Sequence, residues 1–139
     1  MVQIIAGTKG KGKTKILLEK ANSAIKEAKG SVVYLDKNTK HMYELNNKVR
    51  LINVMDYSVK SCEAFVGFIC GIVAQDHDLE IMFLDSFLKL AYLEGQDITD
   101  TIVTLDEIGK KYGVDFVISV SMDKKELTDT VLPFVSDAL

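Results

Sequence analysis

The stretch "VQIIAGTKGKGKTKI", Val2 to Ile16, decides the fold. From Ala6 to Ile16 it carries three glycines and four lysines in eleven residues. Like charges repel, and ordering glycine costs entropy. Such a segment makes sense if something strongly negative fills it. The opening "VQIIA" (Val2 to Ala6) is a short apolar run ending at a glycine, the signature of a buried strand. Beyond the glycines, Leu17, Ala21, Ala24, Ile25 and Ala28 recur at helical spacing, with Gly30 as the stop. "SVVYLD" (Ser31 to Asp36) reads as a second strand. Strand, glycine loop, helix and strand make a βαβ unit, which needs a right-handed crossover and a parallel sheet.

Further along, "HMYEL" and "VRLINV" read as a hairpin turned at Asn46-Asn47. Asp56 or Ser58 caps a helix reaching about Gln75. Val59, Cys62, Phe65, Val66, Ile69 and Val73 give that helix a broad apolar stripe, so it is expected to pack deep. "EIMFLD" (Glu80 to Asp85) is a strand ending in an acid. Asp97 or Thr99 opens a helix with Ile98, Ile102, Leu105, Ile108 and Tyr112 on one face, and Gly113 closes it. "VDFVISVS" (Val114 to Ser121) is another strand. The tail around Pro133 is expected to form a short helix and an edge strand. Alternating strands and helices predict an α/β fold, a three-layer sandwich with a mainly parallel sheet.

The chain has 139 residues, enough for one domain over 1–139 with one core. It is 47% hydrophobic and 27% charged, ordinary for a globular domain. Its net charge of −3 disfavours general nucleic-acid affinity. Arg50 is the only arginine. The apolar stretch from Ala64 to Ala74 is too short to span a bilayer, so membrane insertion is not expected. Cys62 and Cys70 stand eight apart on one helix, roughly 12 Å, too far for a disulfide. They read as two buried free thiols, and no leader-like segment opens the chain. A cytoplasmic protein is expected.

Gly7-Thr8-Lys9-Gly10-Lys11-Gly12-Lys13-Thr14 fits G-x-x-x-x-G-K-[ST] at each fixed position, with a strand before it and a helix after. Glycines let the loop curl so that backbone N–H groups point at phosphate oxygens. The helix N-terminus adds partial positive charge. Lys13 would reach the β- and γ-phosphates, and Thr14 would hold Mg²⁺. Lys9 and Lys11 are expected to point outward and add field. Asp85, at the end of "IMFLDS", falls where it can hold a water of the Mg²⁺ shell. The plainer alternative for Asp85 is a strand-end acid that caps the next helix.

With "GTKGKGKT", "IMFLDS" and "FVISVS" in this order and spacing, the chain resembles a small P-loop NTPase of the RecA-like, additional-strand division. It is most similar to small bacterial P-loop proteins, some labelled twitching-motility (PilT-type) ATPases. The resemblance runs through Ser121 and implies ATP and Mg²⁺ as ligands, with Gly7 to Thr14 as the Walker A loop and Asp85 as the Walker B acid. It also implies a glutamate that orients the attacking water, often just past the second strand. That place reads Asp36-Lys37-Asn38 here, so Asp36 is the candidate, with a plain strand-end acid as the alternative. Asp85 is followed by Ser86 rather than glutamate. Ser119 or Ser121 is the candidate sensor of the γ-phosphate. Lys124 and Lys125 read as a solvated helix start, and Arg50 has no positional case for an arginine finger. Two functions stay open: a slow ATPase activated by self-association or a protein partner, and a nucleotide-responsive binding module that hydrolyses poorly.

Overall fold

A computed structural model describes residues 1–139. Six strands form one sheet: β1 (Val2–Ala6), β2 (Ser31–Asp36), β3 (Arg50–Asn53), β4 (Leu79–Leu84), β5 (Asp115–Val120) and β6 (Val135–Ala138). Every pairing is parallel, and the order across the sheet is β3-β2-β4-β5-β1-β6. The helices are α1 (Lys13–Glu27), α2 (Cys62–Gln75), the single turn α3 (Phe87–Leu90) and α4 (Thr99–Tyr112).

Period-two alternation sorts the strand residues onto two faces. Ile4, Val33, Leu35, Met82, Leu84, Phe116 and Ile118 belong to the larger core, which packs against α2, α3 and α4. Ile5, Val32, Tyr34, Phe83 and Val117 belong to a smaller core under α1. The result is helix, sheet and helix in three layers, as expected for strands buried on both faces.

The hairpin expected at Asn46-Asn47 does not form. Residues 40–44 are turns, and β3 pairs parallel to β2 from Val33↔Arg50 to Asp36↔Asn53. Leu45 and Val49, four apart, bury in the smaller core instead of alternating across a strand. Asn22 of α1 pins the segment: its Nδ2 donates to the Glu44 carbonyl at 2.8 Å, and its Oδ1 accepts from the Asn46 N–H at 2.8 Å. The connection from β2 to β3 therefore folds over α1 and crosses to a parallel strand.

Other boundaries moved for local reasons. Ser61, rather than Asp56 or Ser58, caps α2, its Oγ accepting from the Ala64 N–H at 3.0 Å. Only Phe65, Ile69 and Val73 of α2 are buried; Cys62 and Val66 are half-buried. One face of this helix packs on the sheet, and its opposite face is exposed. Cys62 is accordingly half-buried and Cys70 exposed, not two buried thiols. Gly30 lies past the end of α1, which is capped at Ala28. Its lack of a side chain is needed because a Cβ there would collide with the Asp78 carbonyl. Gly113 does close α4, in the left-handed conformation at φ 68°. The tail makes a 3-10 turn at Leu132–Phe134 and then β6, and the Leu139 N–H bonds the Ala6 carbonyl at 2.9 Å. No helix is long and apolar enough to cross a membrane.

Candidate functional site

The loop Gly7–Thr14 joins the C-terminal end of β1 to the first turn of α1. Gly10 and Gly12 take φ of 83° and 89°, a region that favours glycine. Gly12 occupies the N-cap, so no side chain bonds the first-turn N–H groups of α1, and no acid stands in that turn. These donors and the helix dipole remain available to an anion. Lys13 is buried, and its Nζ folds back over the loop to donate to the Thr8 carbonyl at 3.1 Å. Burial pulls its pKa below the ordinary lysine value, and the Asp85 charge partly offsets that. Lys9 and Lys11 are exposed.

Asp85 sits one residue past β4, against the start of α1. Four groups donate to its carboxylate. Oδ1 accepts from Thr14 Oγ1 at 3.3 Å, Ser119 Oγ at 2.9 Å and the Ser86 N–H at 2.8 Å. Oδ2 accepts from the Tyr34 hydroxyl at 2.8 Å. Ser86 makes its bond from a left-handed backbone, φ 54°, and its N–H also reaches Ser119 Oγ at 3.1 Å. A serine at positive φ is uncommon, and here the surrounding bonds hold it. Thr14 and Asp85, 71 positions apart in sequence, thus meet directly.

Asp36 ends β2 and is 3% exposed. Its Oδ1 accepts from the Lys37 N–H at 2.7 Å, whereas Oδ2 is buried with no hydrogen-bond partner. Burial, and then the neighbouring Asp85 charge, raise its pKa above the ordinary aspartate value. An orphaned buried oxygen calls for a further donor or ion. Ser121 lies just past β5, exposed at the mouth of a cavity of about 350 Å³ that Thr8, Lys9, Lys37 and Ser86 also line. Ser119 is turned inward and committed to Asp85.

The loop, Asp85, Asp36 and Ser121 therefore gather at the C-terminal ends of β1, β4, β2 and β5. Arg50 stands on the edge strand at the sheet's far side, and Lys124 and Lys125 are exposed in a 3-10 turn after β5. Sequence reasoning missed Tyr34, which lies inside an apolar strand and looks like core. Its signal was the hydroxyl, since a buried tyrosine needs a partner for it. No cluster of three or more His, Cys, Asp and Glu side chains surrounds a metal position. No family model matches the chain, and no curated protein matches it.

Proposed function

We propose that this chain is a RecA-like P-loop protein that binds a nucleoside triphosphate, ATP in our reading, together with Mg²⁺. The observation that carries the reading is the Thr14–Asp85 hydrogen bond beneath a glycine loop at an open helix N-terminus. A hydroxyl and an acid so joined, one beside the loop and one on a separate strand, fit a magnesium ion held by Thr14 and, through water, by Asp85. Strand order supports the same reading. β5 stands between β1, which leads into the loop, and β4, which leads to the acid. That inserted strand is what the additional-strand division is named for.

In this reading the loop N–H groups hold the β-phosphate, and Lys13 leaves the Thr8 carbonyl to bond the β- and γ-phosphate oxygens. Tyr34, Ser119 and the Ser86 N–H fix the Asp85 carboxylate, so its orientation does not have to be found when the ligand arrives. Mg²⁺, held by Thr14 and through water by Asp85, would neutralise charge on the phosphates. Asp36 Oδ2, buried and without a partner, is the acceptor best placed to orient a water, and Ser121 reports on the terminal phosphate from the cavity mouth. Hydrolysis is slow, because Ser86 follows Asp85 and no arginine reaches this end of the sheet. Calorimetric titration of the chain with ATP and Mg²⁺ tests the reading. Saturable binding that needs Lys13 supports it, and no heat above dilution overturns it.

A second reading, a nucleotide-responsive binding module without significant turnover, is favoured by the burial of Asp36 Oδ2, which keeps it from solvent water. Phosphate release measured beside binding separates the two.

A further inference from the structure

The cavity of about 350 Å³ that opens at Ser121 spans the C-terminal ends of four adjacent strands, β2, β4, β5 and β1. Thr8 and Lys9 reach it from the loop after β1, and Ser121 from the end of β5. Ser86 and Lys89 reach it from the residues after β4, and Lys37 from the residue after β2. Leu88 is its one hydrophobic wall residue, so the space suits a polar ligand.

The charges say which polar ligand. Lys9, Lys37 and Lys89 line the cavity against a single carboxylate, Glu94. None of the three cations takes part in the molecule's ion pairs, which are Met1–Asp115, Lys20–Asp137, His41–Glu44 and Lys110–Asp106. On a chain of net charge −3 this is a local excess of positive charge. Lys37 is half-buried there rather than free in water. Asp36 and Asp85 stand next in sequence to Lys37 and Ser86, both buried. An anion entering the cavity meets the field of these acids, and cations without partners offset it.

We propose, resting on the nucleotide reading above, that Lys37 and Lys89 grip the terminal phosphate and make this chain select a nucleoside triphosphate over the diphosphate. In that reading the metal lies between Thr14 and Asp85, so the phosphate chain runs from the loop toward Asp85 and its last phosphate faces this cavity. Lys9 belongs to the loop and adds field to every phosphate. Lys37 and Lys89 follow β2 and β4, which β5 separates from β1 and its loop. Only a terminal phosphate comes within their reach. A diphosphate has no group there and leaves both amino groups in water.

Calorimetric titration with ATP and with ADP, each with Mg²⁺, tests it. The wild type should bind ATP at least about tenfold more tightly than ADP. Lys37→Ala and Lys89→Ala should each cut ATP affinity by about three- to tenfold and leave ADP affinity unchanged, since each deletes a charge-assisted contact that ADP lacks. Lys26→Ala removes the same charge from the last turn of α1 and should change neither. Neither Lys37 nor Lys89 makes an ion pair, so both variants should keep the wild-type circular dichroism; should one lose it, the other carries the test. Equal wild-type affinity for the two nucleotides, or a wild-type ratio of ATP to ADP affinity in both variants, overturns the proposal while nucleotide binding stands. Equal weakening of ATP and ADP overturns it too, because the lysines then act only as a general field. No binding of either nucleotide overturns it together with the nucleotide reading.

Discussion

The Tyr34 hydroxyl donates to Asp85 Oδ2 at 2.8 Å from a ring that is fully buried in the sheet. Burial first, and then the Asp85 charge, raise the pKa of Tyr34, so the hydroxyl stays a donor. Tyr34→Phe keeps the ring and its stack on Phe83 but removes one of four donors to a buried carboxylate. The expected cost is about 1–3 kcal/mol in urea unfolding. If Tyr34 also orients Asp85 for the metal, the gain in ATP affinity on adding Mg²⁺ shrinks as well, while affinity without metal holds. A loss of stability with an unchanged Mg²⁺ gain limits Tyr34 to the core.

Lys13→Ala should weaken binding of ATP with Mg²⁺ by more than about tenfold, because it deletes the charge-assisted contact to the phosphates. The fold should survive, since Nζ bonds only the Thr8 carbonyl of its own loop. Calorimetric titration checks this, with circular dichroism as the control. Equal affinity for wild type and variant removes the nucleotide assignment.

Asp85→Asn is a gentle change at this position. With its amide nitrogen placed at Oδ2, it meets the Tyr34 hydroxyl, which can turn to accept. The remaining oxygen keeps Thr14, Ser119 and the Ser86 N–H. Folding and metal-free nucleotide binding should therefore persist, while the Mg²⁺ gain falls by about ten- to a hundredfold. An undiminished Mg²⁺ response in the variant leaves Asp85 a structural acid.

Asp36 makes stability depend on pH. Its folded pKa stands above the ordinary 3.8. Between those two values the folded chain holds more protons than the unfolded one, so this group's contribution to stability falls as pH rises. Above the raised value the penalty is constant. Asp36→Asn should thus be more stable than the wild type at neutral pH, with the difference closing as pH drops toward 3.8. Urea unfolding between about pH 3 and about pH 8 measures it. A difference of the opposite sign at neutral pH means that the ionised carboxylate has a partner in the folded chain.

Much of this architecture is legible in the residues because each strand alternates between two apolar faces. "VQIIA", "SVVYLD" and "VDFVISVS" can sit only between two helical layers. The segment from residue 37 to 49 is not legible, because Leu45 and Val49 mimic a strand while their spacing actually follows α1. Asn22 holds that segment, and a side-chain bond between residues more than twenty positions apart leaves no local pattern. α3 escapes notice because four residues give no period. At the site, the glycine loop and Asp85 declare themselves by spacing. Tyr34 does not, since its role comes from the sheet register that sets β2 beside β4.

The isolated chain should release phosphate from ATP slowly, below about one turnover per second. Four donors already engage the two oxygens of Asp85, which holds them in place. Asp36 is the one acid nearby with a free oxygen, and that oxygen is buried away from solvent water. Arg50, the only arginine, sits at the start of the edge strand β3, away from this end of the sheet. In the proposed reading Lys13 and the loop need none of these to hold phosphates, so binding should survive where water activation suffers. A phosphate-release assay with ATP and Mg²⁺ on purified protein decides it. Release faster than this limit, and lost on Asp36→Ala, would mean that Asp36 orients the attacking water and that the site is a competent hydrolase.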